Sequence, residues 1–226
     1  MNMIEISDYA LPAIGSGVGL SGVYLALGHG DVYAIDSRNA DDAHTLLRAL
    51  ATLIRPLTGV YRFKGRTHDL RKYGDMLCCK RLIGYVAPDA ALISNLNVRQ
   101  NLLLQRYYYE NRLDIDLDAS VLSLCDDFGI ADKLDQRPAG LNAMEIQAAI
   151  IIRELTKRPE ILLLDQPENF IGHAKFDLMV EIFNQLIDDR LPIVFLSHDK
   201  RLVRRFANKK ILITNGTLTT VILKPT

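Results

Sequence analysis

A chain of 226 residues, 49% of them hydrophobic, is long enough to bury one sizeable α/β core with room for a smaller helical lobe. Its 27 basic and 27 acidic residues cancel, so no global field favours nucleic acid or an anionic membrane surface. Three cysteines, Cys78, Cys79 and Cys125, make neither an even disulfide set nor a metal-ligand spacing; the adjacent pair reads as packing residues in a reducing compartment rather than a redox centre.

The opening residues carry Glu5 and Asp8 and no basic stretch, so no secretory signal is expected. Ile4-Glu5-Ile6 alternates as a short strand. Residues 11–30 hold no charge and are in principle long enough for a bilayer, but Gly15, Gly17, Gly19, Gly22, Gly28 and Gly30 make them too weakly apolar for a membrane helix. They read as a loop running into a strand at 23–27. A buried strand is predicted at 31–36, then a polar loop and a helix near 45–54 that Pro56 ends. Residues 60–64 have an edge-strand pattern, and 82–86 form another short strand. The stretch 97–157 reads as mostly helical. Residues 161–165 are a continuous apolar run ending in a carboxylate, as a central parallel strand buried on both faces requires. An amphipathic helix at 176–187 and a second central strand at 192–196 follow. Strands at 211–214 and 219–223 flank Asn215-Gly216, a hairpin signal. This order predicts a mixed sheet with an inserted helical lobe.

Several local patterns fall in one register. Gly30-Asp31 leads to Ala34-Ile35, a polar loop, then Thr45-Leu46-Leu47-Arg48, Pro56 and Gly59. Ile83-Gly84-Tyr85-Val86 is followed by Leu92, Leu96, Val98 and Asn101-Leu102. Pro138 precedes Leu141-Asn142-Ala143-Met144-Glu145, with Gln147, Arg153 and Leu155 beyond. Pro159 precedes Leu162-Leu163-Leu164-Asp165-Gln166-Pro167, and Leu196-Ser197-His198-Asp199 and Asn215-Gly216 close the series. In this register, over about residues 3–220, the chain resembles the nucleotide-binding domain of ABC transporters. The matched segments are the phosphate loop, Q-loop, signature helix, Walker B strand, switch histidine and closing hairpin. The resemblance implies an α/β fold: a P-loop NTPase (RecA-like) core of the ABC ATPase type, with an antiparallel β edge and an inserted helical subdomain. It would form a single domain over 1–226, the helical part at approximately 96–157. Residues 91–98 also resemble ATPases of bacterial lipid-transport systems.

The family's chemistry needs particular residues. A phosphate loop uses glycines so that backbone N–H groups converge on the phosphates, a lysine to neutralise them, and a hydroxyl for Mg²⁺. Residues 37–45 read SRNADDAHT instead. Ser37, Ala40 and Asp42 stand at glycine positions, Ala43 at the lysine and His44 at the metal-binding hydroxyl; Arg38 and Asn39 lie between, and Thr45 alone fits. Asp41 and Asp42 are expected where a triphosphate lies, and a carboxylate about 5 Å from a phosphate charge costs roughly 3 kcal/mol at an effective dielectric of about 20. Pro88 replaces the Q-loop glutamine and reads as a rigid turn. Asp165, the Walker B acid, either holds Mg²⁺ through water or caps a neighbouring loop. Gln166 replaces the residue that polarises the attacking water, and a carboxamide cannot accept that proton. Leu141, Asn142, Ala143, Met144 and Glu145 occupy the signature, where Asn142 and Glu145 read as a capping box worth about 1 kcal/mol. Asn142 also has an amide to offer a γ-phosphate held by a partner. Gly172 occupies the D-loop aspartate position, and no aromatic stands near Ala13 or Ile14 to stack on adenine. His198, at the switch position, reads as a γ-phosphate contact or as a structural histidine.

The expectation drawn from these substitutions is a degenerate subunit: a pseudo-ATPase, no enzyme, taking no cofactor, with a structural or regulatory role in a membrane transport complex. It would lie in the cytoplasm, peripheral on the inner face of the membrane, docked through its helical lobe on an integral membrane permease. It would pair with itself or with a catalytically competent ABC ATPase, and with no nucleic acid. The alternative is a subunit that binds Mg-ATP, or hydrolyses it slowly, at one site of a heterodimer. A rival from another class is a flavin or NAD oxidoreductase. Gly17-Val18-Gly19-Leu20-Ser21-Gly22 satisfies the dinucleotide fingerprint, and Asp36 follows where a ribose-binding acid would. Against it, Pro12 interrupts the preceding strand and the helix would have to fit between Gly22 and Gly28.

Overall fold

The protein is described from a computed structural model over residues 2–168 and 176–223. The apolar runs read as central strands assemble one six-stranded sheet. β3 (Val32–Ser37), β6 (Ile83–Val86), β7 (Ile161–Asp165), β8 (Ile193–Leu196), β9 (Lys209–Thr214) and β10 (Thr217–Ile222) lie in the order β10-β9-β3-β8-β7-β6. All neighbours are parallel except the β9–β10 hairpin. Its turn residues Asn215 and Gly216 take φ of 50° and 77°, the left-handed pair that a tight hairpin demands.

A second sheet is antiparallel: β1 (Asn2–Leu11), β2 (Leu20–Gly28), β4 (Thr58–Phe63) and β5 (Arg66–His68), in the order β2-β1-β4-β5. α1 (Ala40–Leu50) lies between the two sheets, with Leu46, Leu47, Ala49 and Leu50 fully buried. On the other face of the parallel sheet pack α3 (Val98–Glu110), α4 (Ala119–Asp127), α5 (Ala143–Thr156), α6 (Phe176–Asp188) and α7 (Lys200–Phe206). α2 (Tyr73–Leu82) bridges from β5 to β6. Alternation along each central strand separates two cores. Leu162, Leu164, Ile193 and Phe195 face the helical lobe, while Ile161, Leu163, Val194 and Leu196 face α1 and the antiparallel sheet. A continuous apolar run is therefore what these strands need. The RecA-like ABC ATPase architecture with an inserted helical subdomain is the observed one.

The differences from expectation are local. α1 begins at Ala40, five residues before the predicted start, because the Asn39 side chain accepts from the Asp41 N–H and two acids fill the first turn. β4 is not an edge: β1 and β5 pair it on both sides. α2 buries only Cys79, so no apolar stripe announced it. α7 is short and basic, and starts where Asp199 accepts from the Arg201 N–H. One contact joins distant parts of the chain: the Ser21 N–H donates to the Gly216 carbonyl at 3.0 Å, seating the hairpin tip on the start of β2 and on Gly19 just before it. Among the described residues, no helix is long and apolar enough to cross a membrane.

Candidate functional site

Ser37, at the end of β3, turns the chain into α1; its hydroxyl donates to the Asn39 carbonyl at 2.6 Å and accepts from the Asn39 N–H. The carboxylates of the first turn are held by the chain itself. Asp41 accepts from the Ser16 N–H and hydroxyl at 2.7 and 2.8 Å, and Asp42, almost fully buried, accepts from the Gly19 N–H at 3.0 Å. The Asn39 side-chain amide donates to the Ser16 carbonyl at 2.7 Å. A Cβ at Gly15 or Gly17 would stand 2.5 Å from those carboxylate oxygens and displace them, and Gly15 also takes a φ of 60°. The Ser16 bonds hold the Asp41 carboxyl below its usual range. The sequence reading set Asp41 and Asp42 against a triphosphate; in the structure both are spent on residues 16–19.

One turn further, His44 meets the Walker B acid. Its Nδ1 lies 2.7 Å from Asp165 Oδ2, which also accepts from the Tyr85 hydroxyl at 3.4 Å. Asp165 is wholly buried, and its Oδ1 has no hydrogen-bond partner among the described residues. Burial pushes its carboxyl up; the His44 and Arg48 charges pull it partly back. Burial, with Asp165 nearby, likewise pushes the Tyr85 phenol up to about 12. Arg48 reaches Asp89 at 3.8 Å, and its guanidinium is held above its usual range with Tyr85 as the first cause. Thr45 and Ala43 are buried in α1.

β7 and β8 run in register so that Asp165 pairs with Leu196, which brings the next residues of both strands together. Gln166 sits at φ 56°, a strained conformation for a residue with a side chain, and its Nε2 is 3.4 Å from His198 Nε2. The group that sequence reasoning missed is Glu168. Its Oε1 accepts from the His198 N–H at 2.7 Å, and its Oε2 is buried with no partner among the described residues. The available signal was a second carboxylate three residues after Asp165. Ser37 and His198 also share the wall of a cleft of about 570 Å³ with Asp36, Ser197, Lys200 and Arg204.

The remaining candidates stand apart from this cluster. Pro88 lies in the loop after β6. Asn142 and Glu145 form the reciprocal capping box at the start of α5, with bonds of 2.8 to 3.0 Å, and Leu141, Ala143 and Met144 surround it. Ala13 and Ile14 lie in the loop between β1 and β2, and Gly172 falls outside the described residues. The dinucleotide reading fails on structure: Gly17 to Gly22 run into an antiparallel strand rather than a helix, and Asp36 is paired with Lys210 at 2.8 Å.

A RecA-like fold with its acids at the carboxyl ends of parallel strands defines the class, and known structures agree. The chain overlays the dimeric bacterial ABC transporter cassette MJ0796 with a TM-score of 0.84 at 19% identity, covering 99% of this chain and 100% of that one. The same cassette in a post-hydrolysis state bound to ADP and Pi gives 0.83 at 19% identity, with the same coverage. By sequence, the family described as ABC transporter matches residues 20–169. The molybdenum import ATP-binding protein ModC of Brucella suis biovar 1 (strain 1330) is 32% identical over 192 residues, 84% of this chain and 52% of that protein. The phosphonates import ATP-binding protein PhnC of Bordetella parapertussis (strain 12822 / ATCC BAA-587 / NCTC 13253) is 30% identical over 210 residues, 87% of this chain and 82% of that protein. The chain belongs to the ABC transporter ATP-binding family. It spans about half the length of the ModC relatives it matches.

Membership corrects two expectations. That the chain is no enzyme, and that it takes no cofactor, rested on the substitutions in the phosphate-loop, Q-loop, Walker B and signature segments; it belongs to a family whose relatives are named ATP-binding proteins, and the family implies Mg-ATP. One of those grounds fails on the structure: Asp41 and Asp42 were counted as free charges, yet both are hydrogen-bonded within the chain. Neither degeneracy nor a lipid-transport branch is supported by these relatives. At the metal end the residues fit Mg-ATP, because Asp165 Oδ1 is a buried, unpartnered oxygen of the type that a hard cation takes. At the phosphate end the loop offers no lysine and no glycine, and the residues there, as arranged, form no cradle.

Proposed function

We propose that this chain is the ATP-binding subunit of a membrane transport complex, binding Mg-ATP at one site shared with a second ATP-binding subunit and turning it over slowly. The observation that carries this reading is the Asp165 cluster: one buried oxygen without a partner, the other fixed by His44 and Tyr85. The relatives' names support the nucleotide and the transport role, and the TM-score of 0.84 to a dimeric cassette supports pairing. Bound Mg-ATP supplies the phosphoanhydride and the divalent charge that offsets the developing negative charge. Asp165 Oδ1 is the candidate metal oxygen, and His44 holds the carboxylate in one orientation. Glu168, held by the His198 N–H, is the candidate proton acceptor that Gln166 cannot be. The helical lobe is the surface offered to an integral membrane permease, which would hold the chain on the membrane as a peripheral subunit.

Fluorescent ATP titrated into the purified chain, with Mg²⁺ and with EDTA, tests this. Binding should depend on Mg²⁺ and weaken by about tenfold or more in Asp165→Asn, the loss of roughly 1.4 kcal/mol. Identical binding by the wild type with and without Mg²⁺ would remove the metal role of Asp165.

A further inference from the structure

The geometry points to a zinc site made by His68, Cys78 and Cys79, between the end of β5 and α2. His68 ends β5, and the two cysteines sit in the later turns of α2. The cysteines by themselves have no metal-ligand spacing; the fold brings His68, at the end of β5, beside them as a third donor. His68 Nδ1 is 3.6 Å from Cys78 Sγ, and the donor atoms of all three residues lie within 4.8 Å of one another. An ion with bonds of about 2.3 Å to sulfur and about 2.0 Å to nitrogen, at tetrahedral angles, sets its sulfur and nitrogen about 3.5 Å apart. The 3.6 Å edge already present is close to the length that coordination would impose.

The donor set selects the ion. Two thiols and an imidazole suit a borderline or soft cation, while Mg²⁺ requires oxygen, so this site is chemically separate from the Asp165 cluster. Cys79 is fully buried, His68 half-buried and Cys78 exposed, so the three protein ligands form the inner wall and the fourth position opens to solvent. Binding replaces both thiol protons: Zn²⁺ takes two thiolates and the neutral imidazole, and two protons pass to the buffer. The ion would clip β5 of the antiparallel sheet to the helix that leads into β6 and the loop at Pro88.

Cobalt(II) titrated into the reduced, metal-free full chain, without nucleotide, tests the site. One Co²⁺ per chain is expected, with a sulfur-to-cobalt charge-transfer band in the near ultraviolet and the visible bands of tetrahedral coordination, both abolished by Zn²⁺. Cys78→Ser and His68→Ala alter exposed or half-buried atoms, and thermal melting in metal-free buffer should show them folded. Each should lose the charge-transfer band or bind at least about tenfold more weakly. Absence of the band at stoichiometric cobalt, or its survival undiminished in both variants, overturns the assignment. A disulfide between Cys78 and Cys79 forming in the reduced preparation would overturn it as well.

Discussion

Asp165 has two oxygens in unlike positions, one triply defined by His44, Tyr85 and burial and the other left without a partner. Its raised carboxyl pKa has a sign that can be measured. A carboxyl whose folded pKa lies above its unfolded value costs stability once pH rises through that interval, because the folded chain then holds a charge it solvates poorly. Asp165→Asn should therefore melt no lower than the wild type at neutral pH, with any advantage shrinking as the pH is lowered. A lower melting temperature at neutral pH would mean that the His44 contact outweighs the burial cost. Glu168→Gln keeps the contact with the His198 N–H and removes the proton acceptor, so ATP turnover should fall by about 10²-fold or more while nucleotide binding holds. Equal loss of binding and turnover would make Glu168 a positioning group for His198 only.

The helix starts carry the next layer of evidence. Asn142 and Glu145 cap α5 reciprocally, and Asn142→Ala should cost about 1 kcal/mol, or roughly 2–4 °C in melting temperature. Asp118 caps α4 and is bonded to Ser120 and Arg158, which together hold its carboxyl at about 2. Its contribution is complete above the unfolded value of 3.8 and lost as pH falls through about 2, so Asp118→Asn should flatten the acid limb of a stability profile there. The Asn142–Glu145 cap, the central strands and the Asn215-Gly216 turn were legible because local chemistry alone decides them, whereas the Asp118 cap was not read. α2 was not, since its single buried residue leaves no period to read. The same limit applies to the site. Asp165, Gln166 and His198 were found by register, but the engagement of Asp41 and Asp42 by Ser16 and Gly19, and of His198 by Glu168, joins segments 23 to 30 residues apart that only folding brings together. Reading the acids as loose charges was one ground of the mistaken non-enzyme, beside the absent loop glycines and lysine and Gln166.

At the scale of the molecule, the two faces of the parallel sheet carry separate cores: α1 and the loops proposed to meet the nucleotide lie on one, and on the other the helical lobe presents the surface proposed for a permease. Affinity capture from membranes should bring down a permease and a second ATP-binding subunit together. Recovery of the chain alone under mild detergent would count against the complex. The seat of the hairpin tip on the glycine-rich segment ties these parts into a mechanical line. Gly216 stands at positive φ with its absent Cβ 2.9 Å from the Gly19 carbonyl, and residues 16–19 in turn grip the two acids that open α1. A side chain at 216 would act like a wedge under a latch: Gly216→Val should lift the segment, unfasten both carboxylates and so alter nucleotide affinity from a turn at the far end of the chain.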